Sequence, residues 1–222
     1  MAGSIFLALS CLQGRPSIAA FDELAALGAG IQLTPGNLPD PRFAAHVAAS
    51  PTATRRHHGF SFFTRVQQVW SAGACTTDAQ SVHPPKAGEP WRAWLERAAT
   101  PPIIEVMYPG YELGTGDEVE RAMADGLVLA VDVSHVFIQL AAGAMHEATW
   151  QRLQAYDRIA EVHVSANAGR ADTHQPIAAD TFGLAWARER CAHVPVVLEC
   201  YMHRLGDAQR RAQLAILMGD GR

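Results

Sequence analysis

Histidines and carboxylates recur through the last three quarters of this 222-residue chain, most of them beside the end of a short apolar run. They are His58, His83, Glu105, Asp132 with His135, His163, Asp172 with His174, and Glu199. The runs that carry them arrive at about the period of one strand plus one helix, roughly 30 residues, so the groups can converge on one end of a β/α barrel. Imidazole and carboxylate together suit Zn2+, Mn2+ or non-haem iron, and they are the groups that hold several ions close together.

Local context sharpens some of these positions. Glu105 and Glu199 each follow apolar strand residues, in Pro-Ile-Ile-Glu-Val-Met and Val-Val-Leu-Glu-Cys. A carboxylate buried there needs a cation or a hydrogen-bonding partner, and an arginine would serve as well as a metal. Asp132 and His135 stand where a strand turns into a helix, so an offset of three residues can aim both at one cavity. His163 ends a strand. Asp172 and His174 lie two apart, the spacing at which extended residues point the same way. His57 competes with His58, and the following Gly59 favours His58 because it permits close approach. Taken singly, each histidine also reads as a core residue, and an Asp as a helix cap. His46, His146, His193 and His203 fall in helix or loop contexts and are set aside.

The elements that must position these groups are short apolar, β-branched runs separated by helical periodicity. Strands are expected over 5–12, 30–34, 57–62, 80–83, 102–107, 127–135, 159–165 and 194–201. Helices are expected over 18–27, 41–49, 64–69, 91–99, 117–124, part of 137–156, 182–192 and 207–218. Alternation of eight strands with helices is the α/β pattern of a (β/α)8 TIM barrel, here read as a single domain over residues 1–222. An open doubly wound sheet is disfavoured, since it would spread the ligand strands along an edge. Gly114-Thr115-Gly116 lacks the strand context of a dinucleotide fingerprint and reads as a helix-start loop.

Composition narrows the function. With 49% hydrophobic residues the chain can bury a large core. A net charge of −4 gives no general attraction to nucleic acid. Lys86 is the sole lysine, so a Schiff-base mechanism would rest on one residue in a Pro-Pro-Lys-Ala-Gly loop. The four cysteines, Cys11, Cys75, Cys191 and Cys200, lack zinc-ribbon spacing; Cys11 and Cys200 read as buried strand residues of a reducing, cytoplasmic compartment. The apolar stretch at 5–11 is too short to span a bilayer, so no membrane association is expected.

As an ordered set, Glu105, Asp132-x-x-His135, His163, Asp172-x-His174 and Glu199 resemble the ligands of the xylose-isomerase-like TIM-barrel superfamily. That superfamily contains sugar isomerases and epimerases, endonuclease IV and multinuclear non-haem iron enzymes that modify peptides. Local wording around His58-Gly59, Asp172-Thr-His174-Gln-Pro176 and Val194-Pro-Val-Val-Leu-Glu199 is most similar to the last group, the methanobactin-maturation-like enzymes. The chain departs from it where Asn commonly follows the acid, at Val106 and at Ser134-His135.

This resemblance implies two or three divalent ions, iron being favoured over Mn, Zn or Mg. Glu105 would bridge an ion held by His58 and His83 to one held by Asp132, His163 and Glu199, while His135, Asp172 and His174 would hold a third. The activity expected first is O2-dependent oxidative modification of a peptide cysteine, with the peptide delivered by a leader or a companion peptide-binding protein. Expected second is a sugar isomerase or epimerase. There one ion sits on Glu105, Asp132, His163 and Glu199, the two glutamates also move a proton, and His135 contacts a small-molecule substrate. Zinc-dependent phosphodiester cleavage of the endonuclease IV kind is expected least.

Overall fold

The computed structural model describes residues 5–34, 41–58, 81–88 and 102–219. Its strands are β1 (Ile5–Ala8), β2 (Gly30–Leu33), β3 (Thr54–His58), β4 (Ser81–Val82), β5 (Ile103–Val106), β6 (Leu129–Asp132), β7 (Ile159–Val164) and β8 (Val196–Leu198). Each pairs in parallel with its chain neighbours, and β8 returns to β1, which closes the barrel. The helices among the described residues are α1 (Ser17–Ala25), α2 (Pro41–Ala49), α3 (Gly116–Ala124), α4 (Val133–Ala141), α5 (Glu147–Gln154), α6 (Leu184–Arg190) and α7 (Asp207–Met218). The (β/α)8 expectation therefore holds.

Two layers of packing make this shape. One apolar cluster joins strand residues such as Leu7, Ile31, Leu129 and Val162 to helix residues such as Phe21, Leu24, Leu153 and Leu214. Alternate strand residues face the barrel axis, as the period of two requires. Here many of them are polar: Gln32, His57, Ser81, Glu105, Asp132, Glu161 and His163 are all buried, and they come from the six consecutive strands β2 to β7.

Several boundaries differ from the sequence-based ones, each for a local reason. The first strand stops at Ala8, and Leu9–Leu12 forms a 3-10 turn tied to the segment after the neighbouring β8 through Met202 N–H donating to Cys11 O at 2.8 Å. The sixth stops at Asp132 because its Oδ1 accepts the Ser134 N–H at 2.7 Å and starts α4. The segment 137–156 is two helices separated around Gly143, which has φ 69°. Thr115 and Glu118 form a reciprocal capping box at the start of α3, so the Gly-Thr-Gly stretch is a helix start. The expected helices at 64–69 and 91–99, and the expected strand residues 59–62, lie outside the described residues. Cys11, Cys191 and Cys200 are free thiols, the first and last of them buried. No helix among the described residues is long and apolar enough to cross a membrane.

Candidate metal centre

Glu105, at 0% exposure on β5, is the hub of the ligand set. Its Oε2 lies 3.1 Å from His57 Nε2 and 3.0 Å from His83 Nε2. Its Oε1 lies 3.5 Å from His163 Nδ1 and 3.3 Å from His135 Nδ1. The same His163 Nδ1 is 3.5 Å from Glu199 Oε1. Asp132, His163 and Glu199 present atoms within 4.8 Å of one another, as do Glu105, Asp132 and His135, and also His57, Glu105 and His163. Asp172 Oδ2 joins from the loop after β7, 3.2 Å from His135 Nε2 and 2.9 Å from His174 Nε2.

Hydrogen counting tests whether these groups fit a cation. Glu161 Oε1 accepts from Ser81 Oγ–H at 2.8 Å, which uses the only hydrogen that hydroxyl has. Ser81 Oγ must therefore accept from His57 Nδ1 at 2.8 Å, which leaves His57 Nε2 facing Glu105. His163 Nε2 donates to Glu161 Oε1 at 2.6 Å, which leaves Nδ1 facing Glu105 and Glu199. His135 Nδ1 donates to Val106 O at 3.0 Å, which leaves Nε2 toward Asp132 and Asp172. Asp132 spends Oδ1 on its helix cap and keeps Oδ2 free. The atoms so released coincide with orphans: His57 Nε2, both oxygens of Glu105, Asp132 Oδ2 and His163 Nδ1 are buried without a hydrogen-bond partner. Unpaired nitrogen and carboxylate atoms converging out of water are what a divalent cation satisfies. The donor set fits one or more such ions.

Electrostatics of the cation-free centre point the same way. Burial alone would raise the Glu105 carboxyl, but the surrounding imidazoles of His83, His163 and His135 hold it well below the usual carboxylate range. Burial raises Glu199 to about 7, with the charges of Glu105 and Asp132 adding to it against the pull of His163. Burial lowers His57 to about 4. For His135, the Asp132 and Asp172 carboxylates outweigh burial and hold the ring well above its usual value; Glu199 and Glu105 do the same for His163.

The structure brings together His83, Glu105, Asp132, His135, His163, Asp172, His174 and Glu199. It places His57 against Glu105; the His58 side chain, preferred in the sequence because Gly59 follows it, lies outside the described residues. β3 begins at Thr54, so residues 55 and 57 share the inward face. His174 sits at φ 44°, a left-handed conformation held by Tyr201 N–H donating to His174 O at 2.7 Å and by the two-way Ala166–Gln175 pairing. Sequence reasoning missed Glu161 altogether. The signal was present: Glu161-x-His163 places a carboxylate and a ligand on one strand face, and a charge within β7 demands a partner.

No family model matches this chain, nor does any curated protein. Solved structures do. Over 97% of this chain and 90% of the other, it is similar to D-allulose 3-epimerase from Methylomonas sp. in complex with D-allulose, with 14% identity and a TM-score of 0.59. An L-ribulose 3-epimerase matches at 14% identity and TM-score 0.53, over 96% of this chain and 86% of the other. A Thermus thermophilus protein soaked with ZnCl2 matches at 18% identity and TM-score 0.54, over the full length of both chains. These likenesses overturn the expectation of iron- and O2-dependent oxidation of a peptide cysteine: where these structures are named for an activity, it is sugar 3-epimerisation. At identities this low, what the comparison establishes is architecture. The chain has a (β/α)8 barrel fold shared with these structures, with a polar centre built by its own strands.

Proposed function

We propose that this chain is a divalent-metal-dependent isomerase or epimerase of small sugars, of the kind that moves a proton at a carbon beside a carbonyl. The observation that carries the reading is that two buried glutamates on different strands, Glu105 and Glu199, both approach His163 Nδ1, with Asp132 beside them. Full-length likeness to D-allulose and L-ribulose 3-epimerases supports it. Glu105, Asp132, His163 and Glu199 would hold the ion, Mn2+ or Mg2+ being the chemistry expected for a non-redox step. When bound, such an ion polarises a sugar's carbonyl and adjacent hydroxyl.

The rest is work for the chain. Epimerisation breaks one C–H bond next to the carbonyl, leaves its electron pair delocalised into an enediolate, and returns a proton to the opposite face. Two positioned carboxylates suffice, one accepting the proton at a carboxylate oxygen and the other donating. Glu105 and Glu199 reach the centre from β5 and from the end of β8, so a substrate between them would meet one on each side. His135, anchored through Nδ1 on Val106 O, is placed to contact a substrate hydroxyl. Burial of the whole set keeps bulk water from quenching the intermediate.

The test is solvent exchange. Protein reloaded with Mn2+, Mg2+ or Zn2+ is incubated with D-allulose, L-ribulose and related ketoses in D2O. Deuterium entering the carbon next to the carbonyl, together with the epimeric sugar, is the expected result. Metal-loaded protein that exchanges no proton of any ketose would sink the reading.

A further inference from the structure

Beneath the ligands lies a second polar layer that coordinates nothing. Glu161, on β7 at 0% exposure, accepts on Oε1 from His163 Nε2 at 2.6 Å, from Ser81 Oγ at 2.8 Å and from Gln32 Nε2 at 2.8 Å. Its Oε2 accepts from Arg55 Nε at 3.0 Å and from a second guanidinium nitrogen. Arg55 in turn stands over the Phe6 ring, 5.6 Å from its centroid. Gly30 makes room for that ring: a Cβ there would meet Phe6 carbons at 2.5 Å. A single column therefore runs from β1 and β2, through Arg55 and Glu161, to two ligand imidazoles.

We propose that Glu161, fixed by Arg55, is the positioning residue that selects which ring nitrogen of both His57 and His163 faces the metal. It acts on His163 directly, by taking the Nε2 hydrogen and leaving Nδ1 inward. It acts on His57 through Ser81: because the Ser81 hydrogen is committed to Glu161, Ser81 can only accept, and His57 must present Nδ1–H to it and Nε2 to Glu105. Were Glu161 absent, Ser81 could donate to His57 Nδ1 instead, which would put the ring hydrogen on Nε2, the nitrogen that faces Glu105. One carboxylate thereby sets two ligands that belong to strands four apart in the chain order. Arg55 is needed because a carboxylate without a charge partner at this depth would neutralise itself by taking a proton.

The inference rests on the metal centre described above, with His57 taken as a further ligand beside Glu105 and His163, but not on the sugar chemistry, and Zn2+ as a diamagnetic probe separates the two. In 15N-histidine-labelled protein loaded with Zn2+, long-range nitrogen–proton spectra report which ring nitrogen is bound and which keeps a protected hydrogen. Wild type should show His163 bound through Nδ1 with a protected Nε2–H, and His57 bound through Nε2 with a protected Nδ1–H. Ser81→Ala should disturb the His57 signals alone. Glu161→Ala should lose both protected hydrogens and weaken Zn2+ binding by roughly 10–100-fold, the usual cost of losing a partner behind a metal-bound histidine. Glu161→Gln, which retains one acceptor oxygen, should keep the His163 hydrogen. Should Glu161→Ala fail to fold with Arg55 unpaired, the double variant Arg55→Met/Glu161→Ala takes its place. Unchanged ring signals and Zn2+ affinity within about twofold of wild type in the Glu161 variants would overturn the proposal while leaving the metal site standing. Wild type that takes up no Zn2+ would overturn both.

Discussion

Asp132 serves two masters through its two oxygens: Oδ1 caps α4 and Oδ2 is left buried and unpaired toward His135, His163 and Glu199. Asp132→Asn retains a capping oxygen and removes the charge, so metal content measured by mass spectrometry should fall sharply while the circular dichroism of the barrel persists. Glu199→Gln should behave alike, and both should lose turnover; full metal and activity in both would refute the site assignment. Glu161 carries a pH signature of its own. Burial would raise it, but its hydrogen bond with His163 and the charges of His163 and Arg55 lower it from 4.5 to about 2. A depressed folded value means stability that is complete above about pH 4.5 and lost as pH falls toward 2. At roughly 1.4 kcal/mol per unit, that is about 3 kcal/mol for this group. Urea unfolding of the metal-free protein across pH 2–5 should show the fall, and Glu161→Gln should flatten it.

At the scale of elements, the strands teach what a sequence shows and what it hides. β5, β6, β7 and β8 are mostly apolar runs with an acid or histidine at, just before or just after their last residue, and these candidate ligands were legible. β3 reads Thr-Arg-Arg-His-His, without one apolar residue, so hydrophobic patterning gave its start three residues late. The reason is physical: its inward side chains pair with Glu161 and Glu105 instead of joining the oily core. The strand-to-helix switch was legible, but its strand was carried three residues too far, to 135, because Val133 continues a β-branched run until the Asp132 side-chain cap overrides propensity. Two substitutions probe this level. Thr115→Ala removes the α3 cap and should cost about 1 kcal/mol by chemical denaturation, with metal affinity unchanged. Gly30→Ala pushes on Phe6 and should cost roughly 1–3 kcal/mol, and here metal affinity should drop too, because Arg55 rests on that ring.

Across the whole molecule, ring closure is what turns a scattered sequence pattern into a centre. Residues as distant in sequence as His57 and Glu199 both reach His163 because β8 returns to β1. Such a centre without a cation stores unpaired buried groups, so metal should stabilise the fold. At a free-ion concentration about 100-fold above Kd the gain is about 2.7 kcal/mol, or roughly 5–10 °C in thermal midpoint for a chain of this size. Calorimetry with and without a chelator checks it, and an unchanged midpoint would argue against a resident ion. The polar column from Phe6 and Arg55 to the imidazoles carries one last implication. With the imidazoles aligned from the floor of the barrel, the rim loops other than the one that carries Asp172 and His174 are left to choose the guest. A designer who exchanges those loops for longer ones should alter which molecule enters while the inorganic chemistry below carries on unaltered.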